Sequence, residues 1–171
     1  TDASGEERLV LMGGDSQQPE DRMEDLDIGH AIELLPSPTS DHVAISNNRN
    51  EVIVVDLQKR EMTVIDRSPT LHDTSIAWSP DGQWLAFNHA DDTETSFLMI
   101  ANVTTGEKHQ VTEPTLQDVA PSFDPEGKYL YFLSYRDYDP VYDNLHFDLG
   151  FPCGVRPYLL TLQKETGNPF T

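Results

Sequence analysis

The sequence predicts an all-β chain, a partial β-propeller of about three four-stranded antiparallel blades in a row. Two observations carry this: a hairpin-like segment recurs along the chain, and each copy is followed by further apolar runs in the same order. The segment IAWSPDGQWLAF returns as APSFDPEGKYLYF, which sets Trp78 over Phe123, Pro80 over Pro125, Gly82 over Gly127 and Phe87 over Phe132, an offset of 45 residues. A weaker copy lies upstream in LLPSPTSDHVAI, where Ser37 and Pro38 match Ser79 and Pro80, and Val43, Ala44 and Ile45 match Leu85, Ala86 and Phe87, an offset of 42. Repeats of about 40 to 45 residues built from short strands have the length of propeller blades, each a four-stranded sheet.

Within a copy, an apolar run, a turn rich in proline and glycine, and a second apolar run make a hairpin. In the second copy Pro80 presets its backbone for the turn, Asp81 bonds its own backbone and Gly82 takes a positive φ. In the first copy Ser40 and Asp41 must make the turn instead. Third strands follow at residues 51–57, 97–103 and 156–162. Weaker fourth strands at 61–67 and 107–112 suit an outer edge that faces water. Trp78 and Trp84 alternate as strand residues do, so one fills a blade interface and the other packs on the opposite face. No stretch of helical period competes.

The domain organisation follows. Residues 1–26 hold an outer strand of a preceding blade at residues 6–12 (Glu6 to Met12), because SGEERLVLM resembles TGEKHQVTE, and then an acidic linker, GGDSQQPEDRMEDL, with no apolar period. Blade 1 spans 27–68, blade 2 spans 69–114, and blade 3 spans 115–171 with a long insert at 134–155 and no outer strand after the turn at Thr166 and Gly167. The chain thus reads as an excised fragment. Three blades cannot close a ring, so apolar faces and strand edges are left over, and self-association is expected. The simplest form is a homodimer completing a six-bladed ring, with Glu6 to Met12 pairing with blade 3 of the partner.

Thirty acidic residues against eleven Lys and Arg give a net charge of −19, a field that repels phosphate backbones and anionic lipid surfaces. The expectation is no nucleic acid and no membrane as partners, and no run approaches the roughly 18 apolar residues of a spanning helix. Cys153 is the one cysteine, which rules out an intrachain disulfide or a paired-cysteine zinc site. It favours the cytoplasm and leaves the periplasm and the exterior open.

No Gly-x-Ser-x-Gly elbow is present, so no catalytic nucleophile is assigned, and the expected catalytic, cofactor-binding and metal-ligating residues are none. His72, His89 and His109 fall at or beside turns and are expected to be solvated. Asp137, Asp139, Asp143 and Asp148 lack the spacing of a calcium loop and read as surface carboxylates. The insert carries Tyr135, Tyr138, Tyr142, Phe147 and Phe151, too many aromatic residues for a freely solvated loop. The first expectation is a flap packed over a blade face; the sharper one is a loop that contacts peptides or other domains.

The SPDG-type turns at residues 79–82 and 124–127 occur in many propellers, including TolB-like ones. The run Tyr138, Asp139, Pro140, Val141, Tyr142, Asp143, then Phe147, Asp148, Leu149, Phe151, Pro152, and then Arg156, Pro157, Tyr158, Leu159 is more specific: it resembles the propeller region of the tricorn proteases. The resemblance covers residues 27–170, with Asn168, Pro169 and Phe170 resembling the closing segment, and residues before Asp27 match poorly. It implies a part of a much longer serine peptidase that combines two propellers with PDZ-like and catalytic domains, assembles into large oligomers and cuts oligopeptides, its propellers filtering or channelling the peptides. None of the family's catalytic residues falls in the matched stretch. The resemblance therefore implies a non-catalytic propeller fragment that guides peptides and supports assembly. The alternative is a TolB-like propeller acting as a protein–protein interaction module.

Overall fold

In the computed structural model, which describes residues 5, 7–13, 20–70, 74–137, 139–150 and 154–170 with the side chain of residue 148 excepted, the chain opens with a short hairpin. Strand β1 (Leu9–Leu11) pairs antiparallel with β2 (Asp21–Met23), Leu9 opposite Met23. For residues 20–26 this corrects the reading of a mobile linker. Met23, 2% exposed, and Leu26 are buried with Leu9 and Ile28 against Val43, Ile45, Ile53 and Val55. Two apolar residues carry the contact, too few to show any period. Residues 6 and 14–19 lie outside the described residues. Of the residues expected to form an outer strand, Leu9–Leu11 are extended, as one arm of this hairpin.

Blade 1 consists of β3 (Ala31–Pro36), β4 (His42–Asn47), β5 (Glu51–Asp56) and β6 (Glu61–Arg67), in that spatial order and antiparallel throughout. Its two central strands are apolar on both faces because both faces are covered. Val43, Ile45, Ile53 and Val55 meet the N-terminal hairpin, while Ala44, Val52 and Val54 meet blade 2. Blade 2 repeats the order with β7 (Ile76–Trp78), β8 (Trp84–His89), β9 (Phe97–Asn102) and β10 (Lys108–Gln110). Blade 3 has β11 (Asp118–Phe123), β12 (Tyr129–Ser134) and, after an excursion holding β13 (Val141–Asp143) and β14 (Asp148–Gly150), β15 (Arg156–Thr161). Among the described residues its sheet is three-stranded, β11-β12-β15.

The sheets meet along their first strands, β3 against β7 and β7 against β11, the arrangement of radial blades. Between blades 1 and 2 lie Ala44, Val52, Val54, Ile65, Ile76, Trp78, Leu85 and Phe87. Trp78 fills this interface, its indole Nε1 donating to the carbonyl of Leu35 at 2.9 Å. Trp84 points the other way, toward blade 3, as strand alternation requires. Ala86, Leu98, Leu130 and Phe132 form the second interface.

The turns also stack. Gly82 has φ +67°, and a Cβ there would run into the hydroxyl of Thr39, whose Oγ1 donates to the Asp81 carbonyl at 2.9 Å. Glycine is required at this site both by its φ and by the close approach of the neighbouring turn. The corresponding turn of blade 1 closes through hydroxyls, Ser40 Oγ to Ser37 Oγ at 2.9 Å. The Asp41 side chain takes no part in that closure and accepts instead from Gln58 Nε2 in the next turn at 2.5 Å.

His89 is a further correction. It ends β8 half-buried, with Nδ1 2.5 Å from Asp66 Oδ2 of blade 1 and Nε2 3.1 Å from Asp91 Oδ1. Lys108 reaches the same Asp66 at 3.1 Å and the Ile65 carbonyl at 2.9 Å, so the outer strands of blades 1 and 2 are clasped by charge. His109 is exposed on β10, and His72 lies outside the described residues.

Asp56 closes the β5–β6 turn. Its Oδ1 accepts from the backbone N–H groups of Lys59 and Gln58, each at 3.0 Å, and the Lys59 ammonium lies 2.9 Å from Oδ2. The Lys59 N–H and ammonium, helped by the Gln58 N–H, hold its carboxyl down at about 2 from an ordinary 3.8. Because the folded value is depressed, the turn's contribution is complete above pH 3.8 and disappears as pH falls through about 2. A carboxyl-detected NMR titration should place the Asp56 midpoint near 2 and move it toward 3.8 in Lys59→Ala.

Candidate interaction surface

The described residues of the long insert include a two-stranded hairpin rather than a flap over a blade. Strands β13 and β14 pair antiparallel as a sheet of their own, Val141 opposite Gly150 and Asp143 opposite Asp148. Its apolar side chains face water: Leu145 is 78% and Phe147 79% exposed, and Val141, Tyr142 and Leu149 are exposed with them. The expectation of a packed flap is thereby overturned for the described residues; Tyr138, Phe151 and Cys153 lie outside them.

The root of the hairpin is built from charges and rings. Arg136 donates to Asp118 Oδ2 at 2.5 Å and to Ser134 Oγ at 2.9 Å, and its guanidinium lies 5.0 Å from the Tyr158 ring centre and 5.5 Å from that of Phe132. Asp118 is buried, which makes this pair a firm anchor rather than a screened surface contact. Tyr158 donates its hydroxyl to Asp137 Oδ2 at 2.7 Å, and that bond to a carboxylate, with burial, pushes the Tyr158 hydroxyl above its ordinary 10.0. Arg156 reaches Asp137 at 3.3 Å and Asp139 at 3.7 Å.

Asp143 organises the tip. It accepts from the Leu145 N–H at 2.7 Å and from His146 Nδ1 at 2.7 Å, and its carbonyl accepts from the Phe147 N–H at 2.9 Å. The hydrogen bond from His146, and then that from the Leu145 N–H, hold the Asp143 carboxyl below 3.8. Asp137, Asp139 and Asp143 are therefore structural partners of arginine, tyrosine and backbone groups, not merely solvated carboxylates. Among the described residues no group of three or more His, Cys, Asp or Glu stands where it could hold a metal ion. The number of aromatic residues was the signal for an ordered insert; the anchoring role of Arg136 and Asp118, 18 residues apart, left no local signal.

Two further surfaces flank the blades. On the side of blade 3 away from blade 2, Tyr131 and Leu133 are exposed, and β15 has β12 on one edge and no strand on the other among the described residues. At the opposite end Ile32 and Leu34 of β3 are exposed.

Comparison with known proteins places this architecture. The sequence model described as the tricorn protease second beta propeller domain matches residues 1–171. The match takes in the residues before Asp27, which corrects the expectation that they fall outside the resemblance. Tricorn protease homolog 1 of Streptomyces coelicolor is 34% identical over 99% of the chain, and a putative tricorn-like protease C-terminal subunit of Sulfurisphaera tokodaii is 34% identical over 85%. The chain spans 16% and 17% of the length of these two relatives. Among solved structures, the tricorn protease superposes with a TM-score of 0.80 at 24% identity, over 88% of this chain and 15% of that one. TolB from Acinetobacter baumannii superposes with a TM-score of 0.57 at 18% identity, over 83% of this chain and 36% of that one, a likeness of fold alone.

Proposed function

The chain belongs to the tricorn protease second beta propeller domain family, and from that premise we propose that it is a non-catalytic propeller segment of a tricorn-like serine peptidase that guides peptide substrates and supports assembly. The observation that carries the reading is the β13–β14 hairpin, an apolar tip on an anchored root. An apolar patch of this kind, rimmed by charge, marks a contact with another protein surface. A rigid root presents the tip already ordered, so little freedom is lost on docking.

The leftover faces support a second contact. Ile32 and Leu34 at one end and Tyr131 and Leu133 at the other meet in a homodimer that completes a six-bladed ring, with the free edge of β1 added to β15 of the partner.

One set of measurements tests both. Light scattering of the isolated chain should give twice 19.3 kDa, and a monomer would reject the ring. In the full-length parent, Leu145→Ser with Phe147→Ser should shrink the assembled particle or raise KM for long peptides about threefold or more with kcat on a short reporter unchanged. An unaltered particle with unaltered KM rejects the role of the hairpin. Turnover of a fluorogenic peptide by the isolated chain would reject the non-catalytic assignment.

A further inference from the structure

The two blade interfaces are built from equivalent positions, yet the aromatic residue behind the turns is buried in one and half-buried in the other. Between blades 1 and 2 the space behind the turns is taken by Trp78, 8% exposed and bonded through its indole nitrogen to Leu35. The equivalent residue between blades 2 and 3 is the smaller Phe123, which stays half-buried. There the sheets leave a cleft of about 430 Å³, within the size of small ligand pockets, roughly 300–1,000 Å³.

The cleft has two kinds of wall. Trp84, Ile100, Phe123 and Leu162, all half-buried, make an apolar floor. The two SPDG-type turns also line it, Asp81 and Glu126 coming one from each turn. Asp81 accepts from Ser79 Oγ at 2.5 Å and from the Gln83 N–H at 3.0 Å, both on Oδ1, which leaves Oδ2 to a ligand. Glu126 is paired with Lys128 at 2.5 Å, both side chains exposed, so an incoming cation can compete for it. The chain as a whole carries −19, which favours a cation and disfavours phosphate in this cleft.

We propose that this cleft is a docking site for a basic side chain of an extended peptide segment. Its aliphatic stem lies on Ile100 and the Trp84 ring, and its cation sits between Asp81 and Glu126. A long cationic side chain matches both walls at once, since its stem is apolar and its head is charged. Arginine fits better than lysine, because a planar guanidinium stacks on an indole face and also forks to a carboxylate. The site lies on the turn face, away from the β13–β14 hairpin, and stands independently of any role in guiding substrates.

The test is fluorescence anisotropy of the 171-residue chain with a labelled, end-blocked peptide Gly-Ser-Arg-Ser-Gly and versions carrying norleucine or glutamate in place of arginine. Saturable binding of the arginine peptide is expected, with the norleucine and glutamate versions weaker by about tenfold or more and the affinity falling with added salt. Phe123→Trp, which copies the filled interface, and Asp81→Asn should each weaken the arginine peptide about tenfold with an unchanged thermal melt. If Phe123→Trp lowers the melt, Trp84→Leu reads the same contact. The proposal is overturned if the arginine peptide shows no saturation, if norleucine binds as well as arginine, or if a folded cleft variant binds as tightly as the original chain.

Discussion

Replacing Phe87 by alanine is expected to cost the chain about 3–5 kcal/mol, the usual loss when a fully enclosed aromatic is truncated and its neighbours close in only partly. Phe87 has no exposed surface, sits across the ladder from Ile76 and Met99, and projects between the sheets onto the side of blade 1 that carries Val52, Val54 and Ile65. At about 2–4 °C per kcal/mol for a chain of this size, the midpoint of a thermal melt should fall by about 10 °C. Val64→Ala is the control, because Val64 is exposed on the outer strand of blade 1. A smaller loss for Phe87→Ala than for Val64→Ala would mean that blades 1 and 2 share no core.

The second large effect lies at Glu51, a carboxylate only 3% exposed at the start of β5. Its Oε2 accepts from Asn47 Nδ2 at 2.8 Å and Arg49 Nε at 3.0 Å, and its Oε1 accepts from Arg67. Asn47 and Arg49 extend the network to the Ile28 carbonyl and to Asp27, each at 2.8 or 2.9 Å, and so tie the entry of blade 1 to its second hairpin. Burial pushes the Glu51 carboxyl up, but the bonds from Asn47 and Arg67 and the charges of both arginines more than offset this and hold it below 4.5. Glu51→Ala strands a buried amide and two guanidinium partners; since both arginines keep access to water, the expected loss is about 2–4 kcal/mol, short of a fully enclosed pair. Because the folded value is lowered, this contribution is present above pH 4.5 and fades as pH falls below it. Urea midpoints measured across that range should show a shallower acid limb in Glu51→Gln than in the original chain.

The blades were legible because their physics is local. Pro80, Gly82, Pro125 and Gly127 punctuate hairpins, and buried sheets demand runs such as Val52 to Val55, so the third strands begin where the apolar runs begin and end one residue earlier. What escaped depended on contacts between distant residues. Met23 and Leu26 look like strays in an acidic stretch until Val43 and Ile53 are brought beside them. The aromatic content of the insert reports that apolar surface needs a partner, not that the partner is the nearest blade, and Phe147 faces solvent. His89 has the polar neighbours of a turn residue, whereas it is the last residue of β8, which delivers it to Asp66, a residue of another blade. The exchange of Trp78 for Phe123 is visible in the repeat alignment, but the cleft it opens needs Ile100 and Leu162 to be placed around it.

Among the described residues the hydrophobic clusters join each sheet to its neighbours in the chain, and β15 has a neighbouring strand on one edge alone. Such an array comes apart from its end rather than all at once, since opening the last unit sacrifices one interface and opening an inner unit sacrifices two. In a single copy, before any partner strand is added there, the denaturation front therefore starts at β15 and moves inward toward the clasped outer strands, and amide protons of β15 exchange before those of β4 and β5.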